Sequence, residues 1–368
     1  MPNSTTIRLQ PATMQEWRPG PDPARDITVL MSGGVDSSVT ALLLKRAGWN
    51  VLGITMKLPV AANCDYQRSC CGMEAAYVAR SLGIPHYYIN VREAFEQTVI
   101  EPFKRAYAEG RTPSPCVDCN TIFKFRLVWD FIESQFGVAH LATGHYAQVV
   151  ESDAQVRLAR AIDKTRDQSY FLYGIPRQRL PYFHLPLGGL PKTEVREIAR
   201  EAGLPVARRP DSMELCFVGE GDYRNAISGG AAGMILDSDG NTIGEHSGIA
   251  NFTIGQRRGL KIAAGKPLYV TQIDPRSNTV TVGPKEDIMR RDVAAGEANV
   301  LIPAALAIGS KLCGKIRSQG EPSACTVTEV RDDQFSVTFD SPQLAPSPGQ
   351  RLVLYDDDAC VVAGGTIL

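Results

Sequence analysis

Apolar and polar positions follow two different rhythms along this chain. From residue 26 to about 205, short apolar runs alternate with stretches whose apolar residues recur three and four apart, as on one face of a helix. Ile27–Met31, Val51–Met56, Tyr87–Asn90 and Val138–Thr143 are predicted strands. Ser37–Ala47, with Val39, Leu42, Leu43 and Ala47 on one face, is a predicted helix, as are Cys71–Leu82, about 92–109 and Asn120–Ser134. Leu190-Pro191-Lys192-Thr193-Glu194 opens another helix that ends near Gly203. This order predicts an α/β fold, a doubly wound parallel sheet with ligands at the carboxyl ends of its strands. After about 206 the period shortens. Met234–Leu236 and Thr242–Ile243 flank Asp239-Gly240, a hairpin signal, and Tyr269–Ile273 and Thr279–Val282 flank a second turn. Lys311–Arg317, Ala324–Val330, Phe335–Phe339 and Arg351–Tyr355 continue as short alternating segments. The predicted organisation is a disordered leader (1–25), a nucleotide domain (26–205), a small central β-rich domain (206–286) and a C-terminal β-barrel (287–368).

The first strand stops at Ser32-Gly33-Gly34-Val35-Asp36-Ser37-Ser38. Two glycines let backbone N–H groups approach an anion, the serines add hydroxyl donors, and the following helix presents its positive end. No Gly-Lys-Ser/Thr follows, so this is not a Walker A loop. It resembles the pyrophosphate loop of ATP pyrophosphatases, which implies ATP on Leu30, Met31, Ser32, Gly33, Gly34, Val35, Asp36 and Ser37. Asp36 stands where a nucleotide-bound Mg²⁺ needs a carboxylate. The second strand ends beside the loop at Met56, a wall for adenine. Ala142-Thr143-Gly144-His145-Tyr146 ends a later strand on the same rim. The bland alternative is a glycine turn that merely joins strand to helix, but a hexapeptide in this strand–helix context is far more specific than a glycine pair.

Charge narrows the partners. With 39 Lys and Arg against 40 Asp and Glu, the net charge is −1, so any nucleic acid must be met by local basic patches. No apolar stretch is long enough for a membrane span. The proline-rich leader has no apolar signal core, so a cytoplasmic location is expected. There, nine cysteines point to reactive or metal-binding thiols rather than structural disulfides.

The second chemical signal is Thr112-Pro113-Ser114-Pro115-Cys116-Val117-Asp118-Cys119-Asn120, a stiff loop leading into a helix that carries Lys124 and Arg126. Cys119 at a helix N-terminus near cations is expected to be partly thiolate. Cys216 lies in Pro210-Asp211-Ser212-Met213-Glu214-Leu215-Cys216-Phe217, at the junction of the first two domains. Cys64, Cys70 and Cys71 read as reduced thiols. Cys313, Cys325 and Cys360 read as core fillers, and His86, His140 and His184 as packed residues.

These pieces resemble the bacterial tRNA-specific 2-thiouridylases, the MnmA family. The matching stretches include the pyrophosphate loop, Gly53-Ile54-Thr55-Met56-Lys57, Cys119-Asn120 with Lys124-Phe125, and Ala142–Tyr146. Arg166-Asp167-Gln168-Ser169-Tyr170-Phe171-Leu172, Cys216-Phe217 and Phe252-Thr253-Ile254-Gly255-Gln256-Arg257-Arg258-Gly259-Leu260 continue them in family order. The resemblance implies ATP-dependent 2-thiolation of uridine 34 in tRNA (lysine, glutamate and glutamine acceptors). Met56 and Gly144 would lie near the nucleoside. Cys216 would carry a persulfide supplied by a cysteine desulfurase or a relay protein, and Cys119 would resolve it. Uridine 34 would enter between Ser114-Pro115-Cys116 and Cys216. His145, Arg166, Asp167, Gln168, Arg317, Ser318 and Gln350 are the implied tRNA contacts, although Ser318 replaces a usual aromatic.

One departure matters. Cys116 stands where many members have an acidic residue, creating Cys-x-x-Cys. With Cys216, three thiolates suit a [4Fe-4S] cluster, which would support thiolation without a protein persulfide. Cys116 as a spectator is the plain alternative, and zinc lacks a fourth ligand. Another pyrophosphate-loop synthetase is the competing enzyme, and an RNA-binding barrel with a degenerate nucleotide fold is the competing non-enzyme.

Overall fold

The computed structural model describes residues 7–59, 73–152, 155–211, 215–218, 230–260, 262 and 265–368. The chain forms two compact units, Met1–Val99 with Cys116–Gly221, and Ile100–Pro115 with Asp222–Leu368.

The strands of the first unit are β1 (Arg8–Pro11), β2 (Asp26–Leu30), β3 (Asn50–Lys57), β4 (His86–Asn90), β5 (His140–Ala142), β6 (Ala147–Ser152), β7 (Gln155–Arg160) and β8 (Phe183–His184). Six of them form one sheet in the order β1-β4-β3-β2-β5-β8. β2, β3, β4, β5 and β8 run parallel, and β1 is antiparallel to β4. The chain walks outward from β2 to β4 and then returns to the other side of β2 with β5. That reversal opens a crevice at the carboxyl ends of β2 and β5, the usual ligand position in such sheets.

All of β2 is buried, Asp26 and Thr28 as well as the apolar Ile27, Val29 and Leu30. Its core includes Ile27 and Val29 packed with Val39 and Leu42 of helix α1 (Val35–Arg46), and with Val195 and Ala199 of the helix Lys192–Glu201. The buried Asp26 carboxylate is satisfied by the Gly20 N–H (2.9 Å) and Asn50 Nδ2 (2.7 Å). Gly188 is also forced by packing: a Cβ there would lie 1.8 Å from the Ala147 carbonyl oxygen. Gly188→Ala is therefore expected to destabilise the protein by about 3 kcal/mol, read in thermal unfolding, because the obstacle is backbone.

Three elements differ from the sequence expectation. Residues 7–25 are not a disordered leader. β1 pairs with β4, the Trp17 N–H donates to the Tyr87 hydroxyl (3.0 Å), and Asp22 caps the turn Pro23–Arg25. Prolines hide such a segment because it borrows its partner from a distant strand. The β6–β7 hairpin, paired from Ala147–Arg160 to Ser152–Gln155, is a further element absent from the sequence expectation. The helix around Cys119 starts earlier than expected, at Pro115, runs as a π-helix over Cys119–Val128, and continues as α-helix over Trp129–Phe136 to Gly137 (φ 67°).

The second unit carries β9 (Gly233–Leu236), β10 (Thr242–His246), β11 (Tyr269–Asp274), β12 (Thr279–Gly283), β13 (Met289–Val300), β14 (Lys311–Lys315), β15 (Ser323–Val330), β16 (Phe335–Leu344), β17 (Arg351–Tyr355) and β18 (Val361–Ile367). β9–β12 form a four-stranded sheet, and β13–β18 close into a barrel, which removes exposed sheet edges. Cys325 and Cys360 are buried fillers as expected, and burial beside Cys313 pushes the Cys325 thiol up to about 12. Among the described residues, no helix is long and apolar enough to cross a membrane.

Candidate active site

The phosphate loop follows β2 at the crevice. Gly33 takes φ 77°, which suits glycine, and Gly34 begins α1 with no side chain capping the helix. The N–H groups of the first turn therefore face the crevice as an anion site. The Ser32 N–H donates to Ser37 Oγ (3.1 Å), and Ser38 Oγ donates to the Gly34 carbonyl (2.8 Å). Leu30, Met31 and Val35 are core residues, so they offer a ligand their backbone only. Met56 is half-buried at the end of β3. Gly144, after β5, lies against α1 so closely that a Cβ would stand 2.8 Å from the Ser37 nitrogen. The two predicted rims therefore meet.

Asp36 sits in a charge network that the sequence did not reveal. Its oxygens accept from Lys192 Nζ at 2.7 and 2.8 Å, and Oδ1 accepts from the Tyr146 hydroxyl at 2.9 Å. Burial, then the Asp36 charge, raises the Tyr146 pKa. Lys192 Nζ also lies 2.9 Å from Asp211 Oδ1, which pairs with Arg196 (2.7 Å), while Oδ2 pairs with Arg166 (3.1 Å). Burial alone would raise the Asp211 pKa, but Lys192, Arg196 and Arg166 together hold it below the usual carboxylate range. Arg209 donates to the Gly33 carbonyl (3.0 Å) and pairs with Glu74 (3.2 Å). The only sequence signal for this network was the polar Pro191-Lys192-Thr193 helix start, which reads equally well as ordinary helix capping. The loop, its serines and these cations fit a polyphosphate. Asp36, in the first turn of α1, is a carboxylate that would suit a nucleotide-bound cation.

The thiols lie in the same unit. Cys116 and Cys216 are exposed and Cys119 is buried. Because the helix opens at Pro115, Cys116 rather than Cys119 occupies its first turn. Enclosure of the Cys116 sulfur, then the neighbouring Cys119, raises the Cys116 pKa, with Lys124 opposing. Phe123, one turn beyond Cys119, and Phe217, next to Cys216, both meet the ring of buried Phe95, at centroid distances of 5.1 and 6.0 Å. Phe95 thus anchors both thiol-bearing segments. Among the described residues, no group of three His, Cys, Asp or Glu is placed to hold a metal ion, so Cys116, Cys119 and Cys216 are not assembled as cluster ligands. Cys64, Cys70 and Cys71 lie outside the described residues.

Comparison with known proteins gives the family. Three family models match in chain order: a tRNA methyl transferase HUP domain over 25–220, a tRNA methyl transferase PRC-barrel domain over 222–284 and an aminomethyltransferase beta-barrel domain over 309–367. The tRNA-specific 2-thiouridylase MnmA of Clostridioides difficile (strain 630) is 39% identical over 358 residues, covering 94% of this chain and 98% of that one. The protein of the same name from Salinibacter ruber is 42% identical over 368 residues, covering 93% and 94%. The one from Moorella thermoacetica is 42% identical over 352 residues, covering 92% and 98%. This chain belongs to the tRNA-specific 2-thiouridylase family.

Against that family, the structure sorts the expected tRNA contacts. Arg166 is exposed, although one of its nitrogens holds Asp211. Asp167 points inward: its side chain is 1% exposed, paired with Arg160 (2.9 Å) and accepting from Ala161 and Ser169. It shapes the turn instead of facing solvent. Gln168 accepts the Tyr146 N–H (2.9 Å) and thereby fixes the strand end that carries His145. His145 bonds Thr143 Oγ1 (2.7 Å); burial, then the Lys124 charge, lowers its pKa to about 3, so it is neutral at physiological pH. Ser114 and Pro115 are buried. In the second unit, Arg317 donates to the carbonyls of Leu344 (3.0 Å) and Ala345 (2.7 Å), and Ser318 is half-buried beside it. Gln350 donates to the carbonyls of Thr112 (3.1 Å) and Pro113 (3.3 Å) and straps the arm of the cysteine loop to the barrel.

Proposed function

We propose that this protein converts uridine 34 of tRNA to 2-thiouridine using ATP, in the cytoplasm, on lysine, glutamate and glutamine acceptors. The observation that carries the reading is the joining, in one compact unit, of a phosphate loop at the sheet's switch point and two thiol segments anchored on Phe95.

ATP lies on Ser32–Ser37 with Met56 and Gly144 beside its nucleoside, and Asp36 supplies the carboxylate for accompanying Mg²⁺. The C2 oxygen of uridine 34 attacks the α-phosphorus, and pyrophosphate leaves. Cys216 bears a persulfide delivered by a cysteine desulfurase or a relay protein. Its terminal sulfur attacks C2, and AMP departs with the oxygen. Cys119 attacks the Cys216 sulfur, breaks the remaining S–S bond and leaves sulfur on C2; the Cys119–Cys216 disulfide is then reduced by an external thiol. In the alternative order, Cys119 first cleaves the persulfide, and the released hydrosulfide attacks C2. Either order needs two thiols and an activated oxygen, which accounts for the joint presence of Cys119, Cys216 and the phosphate loop. Cys116, His145, Arg166, Asp167 and Gln168 of the first unit, and Ser114, Pro115, Arg317, Ser318 and Gln350 of the second, are the proposed tRNA contacts.

Purified protein given tRNA, ATP and a sulfur donor is expected to yield 2-thiouridine and AMP in equal amounts, measured by nucleoside mass spectrometry and nucleotide chromatography. Methylation of tRNA from a methyl donor, with no thiolation under these conditions, would overturn the reading.

A further inference from the structure

His86 reads as a packed residue in the sequence, yet its ring ends a buried chain of hydrogen bonds that reaches the phosphate loop. Where β2 ends, the Met31 N–H still bonds the Ile54 carbonyl of β3 (2.8 Å). The next peptide, Met31–Ser32, is held by side chains instead. Its carbonyl accepts from Thr55 Oγ1 (2.6 Å), and its N–H donates to Ser37 Oγ (3.1 Å). A carbonyl cannot donate, so the single hydroxyl proton of Thr55 goes to Met31. The 2.8 Å bond between Thr55 Oγ1 and His86 Nε2 is then donated by the imidazole. That places the ring proton on Nε2, and Nδ1 is buried with no hydrogen-bond partner among the described residues. A second ring proton would be a buried, unpaired donor, and burial lowers the His86 pKa to about 4. The His86 backbone is pinned as well, its N–H on Thr13 Oγ1 (3.1 Å) and its carbonyl on the Ala12 N–H (2.8 Å). Gly53 leaves room for the arrangement: a Cβ there would stand 2.8 Å from Met31 Sδ and 2.9 Å from His86 Cδ2.

We infer that Thr55 and His86 are positioning residues that set the plane of the Met31–Ser32 peptide and thereby hold the phosphate loop ready for ATP. This rests on the ATP site proposed above. Met31, Thr55 and His86 are each at most 2% exposed, so their side chains act on a nucleotide only through the loop. Rotation of that peptide would swing Ser32 and the Gly33 turn that follows it. Backbone N–H groups hold an anion well only when they are already aimed at it. A hydroxyl directed from behind keeps that aim before the nucleotide arrives, so less of its interaction is lost to ordering the loop.

The test is ATP affinity by calorimetric titration, alongside thermal unfolding of the same samples. Thr55→Val keeps the side-chain shape but removes the hydroxyl, and is expected to weaken ATP binding about fivefold to tenfold, the scale of one hydrogen bond. Thr55→Ser restores the hydroxyl and is expected to bind ATP as the natural protein does. His86→Leu should weaken ATP binding by a similar factor to Thr55→Val, and serves if that variant does not fold. Combining the two should weaken binding no further, because both residues act through one chain of bonds. A purely structural role would lower the melting temperature and leave ATP affinity unchanged. That result, or full additivity of the two substitutions, would overturn the inference and leave the nucleotide site standing. No ATP binding by the natural protein would sink the nucleotide site and this inference together.

Discussion

Replacing Cys216 by serine is expected to abolish 2-thiouridine formation, lowering it by at least about 10³-fold, the scale seen when a covalent catalytic group is removed. A hydroxyl cannot carry a persulfide, and no other thiol replaces it at that turn. Cys216 is exposed on the turn that Val218 closes by bonding the Leu215 carbonyl (3.1 Å), and Phe217 fastens that turn to Phe95. Serine preserves this packing, so folding should be unaffected. Uridine adenylation needs only the phosphate loop, and tRNA-dependent release of pyrophosphate should persist through the first turnover. The two halves of the reaction are thereby separated in one variant. Unchanged thiolation would exclude Cys216 as the sulfur carrier, whereas loss of pyrophosphate release as well would place Cys216 in the nucleotide step.

Lys192→Met is the second large effect. Methionine keeps the apolar stem but removes the ammonium that both oxygens of Asp36 and one oxygen of Asp211 share. Two carboxylates then face each other, Asp36 keeping only the Tyr146 hydroxyl among these partners, and the phosphate loop loses its nearest buried cation. ATP-dependent thiolation should fall about 10²-fold or more, as when one preorganised charge is withdrawn from a reacting phosphate. Stability should fall by about 1–2 kcal/mol, less than for a fully buried pair, because Asp36 is 32% exposed and Asp211 keeps Arg196 and Arg166. The pH dependence has a definite sign. Asp211 titrates below its unfolded value, so its contribution is present above that value and disappears as pH falls through the folded pKa. Removing Lys192 raises the folded pKa, and the variant should lose stability at higher pH than the natural protein during acid unfolding. An acid profile identical to the natural protein's would mean that Lys192 does not set the Asp211 charge state.

Local features of the site were legible because their physics is local. A parallel strand buried on both faces is rich in apolar residues, and Ile27, Val29 and Leu30 mark β2. A phosphate loop needs glycine at a positive φ and an uncapped helix start, and Gly33-Gly34 provide both. The alternation that marked the barrel follows from side chains pointing alternately inward and outward. Cys119 and Cys216 stand out in the sequence by the motifs they lie in, Cys119-Asn120 and Cys216-Phe217.

Other features had no local signature. Asp167 lies in a motif that reads as a surface contact, yet its carboxylate is enclosed by Arg160, Ala161 and Ser169. Segment 7–25 looked unstructured because the partner of β1 is β4, far along the chain. A sequence determines which residues can make a strand, a helix start or a nucleophile, since those depend on neighbours a few positions away. Only the tertiary structure decided which cation neutralises Asp36, which carboxylates share it, and that Phe95 serves both thiol segments. Coulomb and packing energies depend on distances through space, and chain separation does not encode the distance between Lys192 and Asp36.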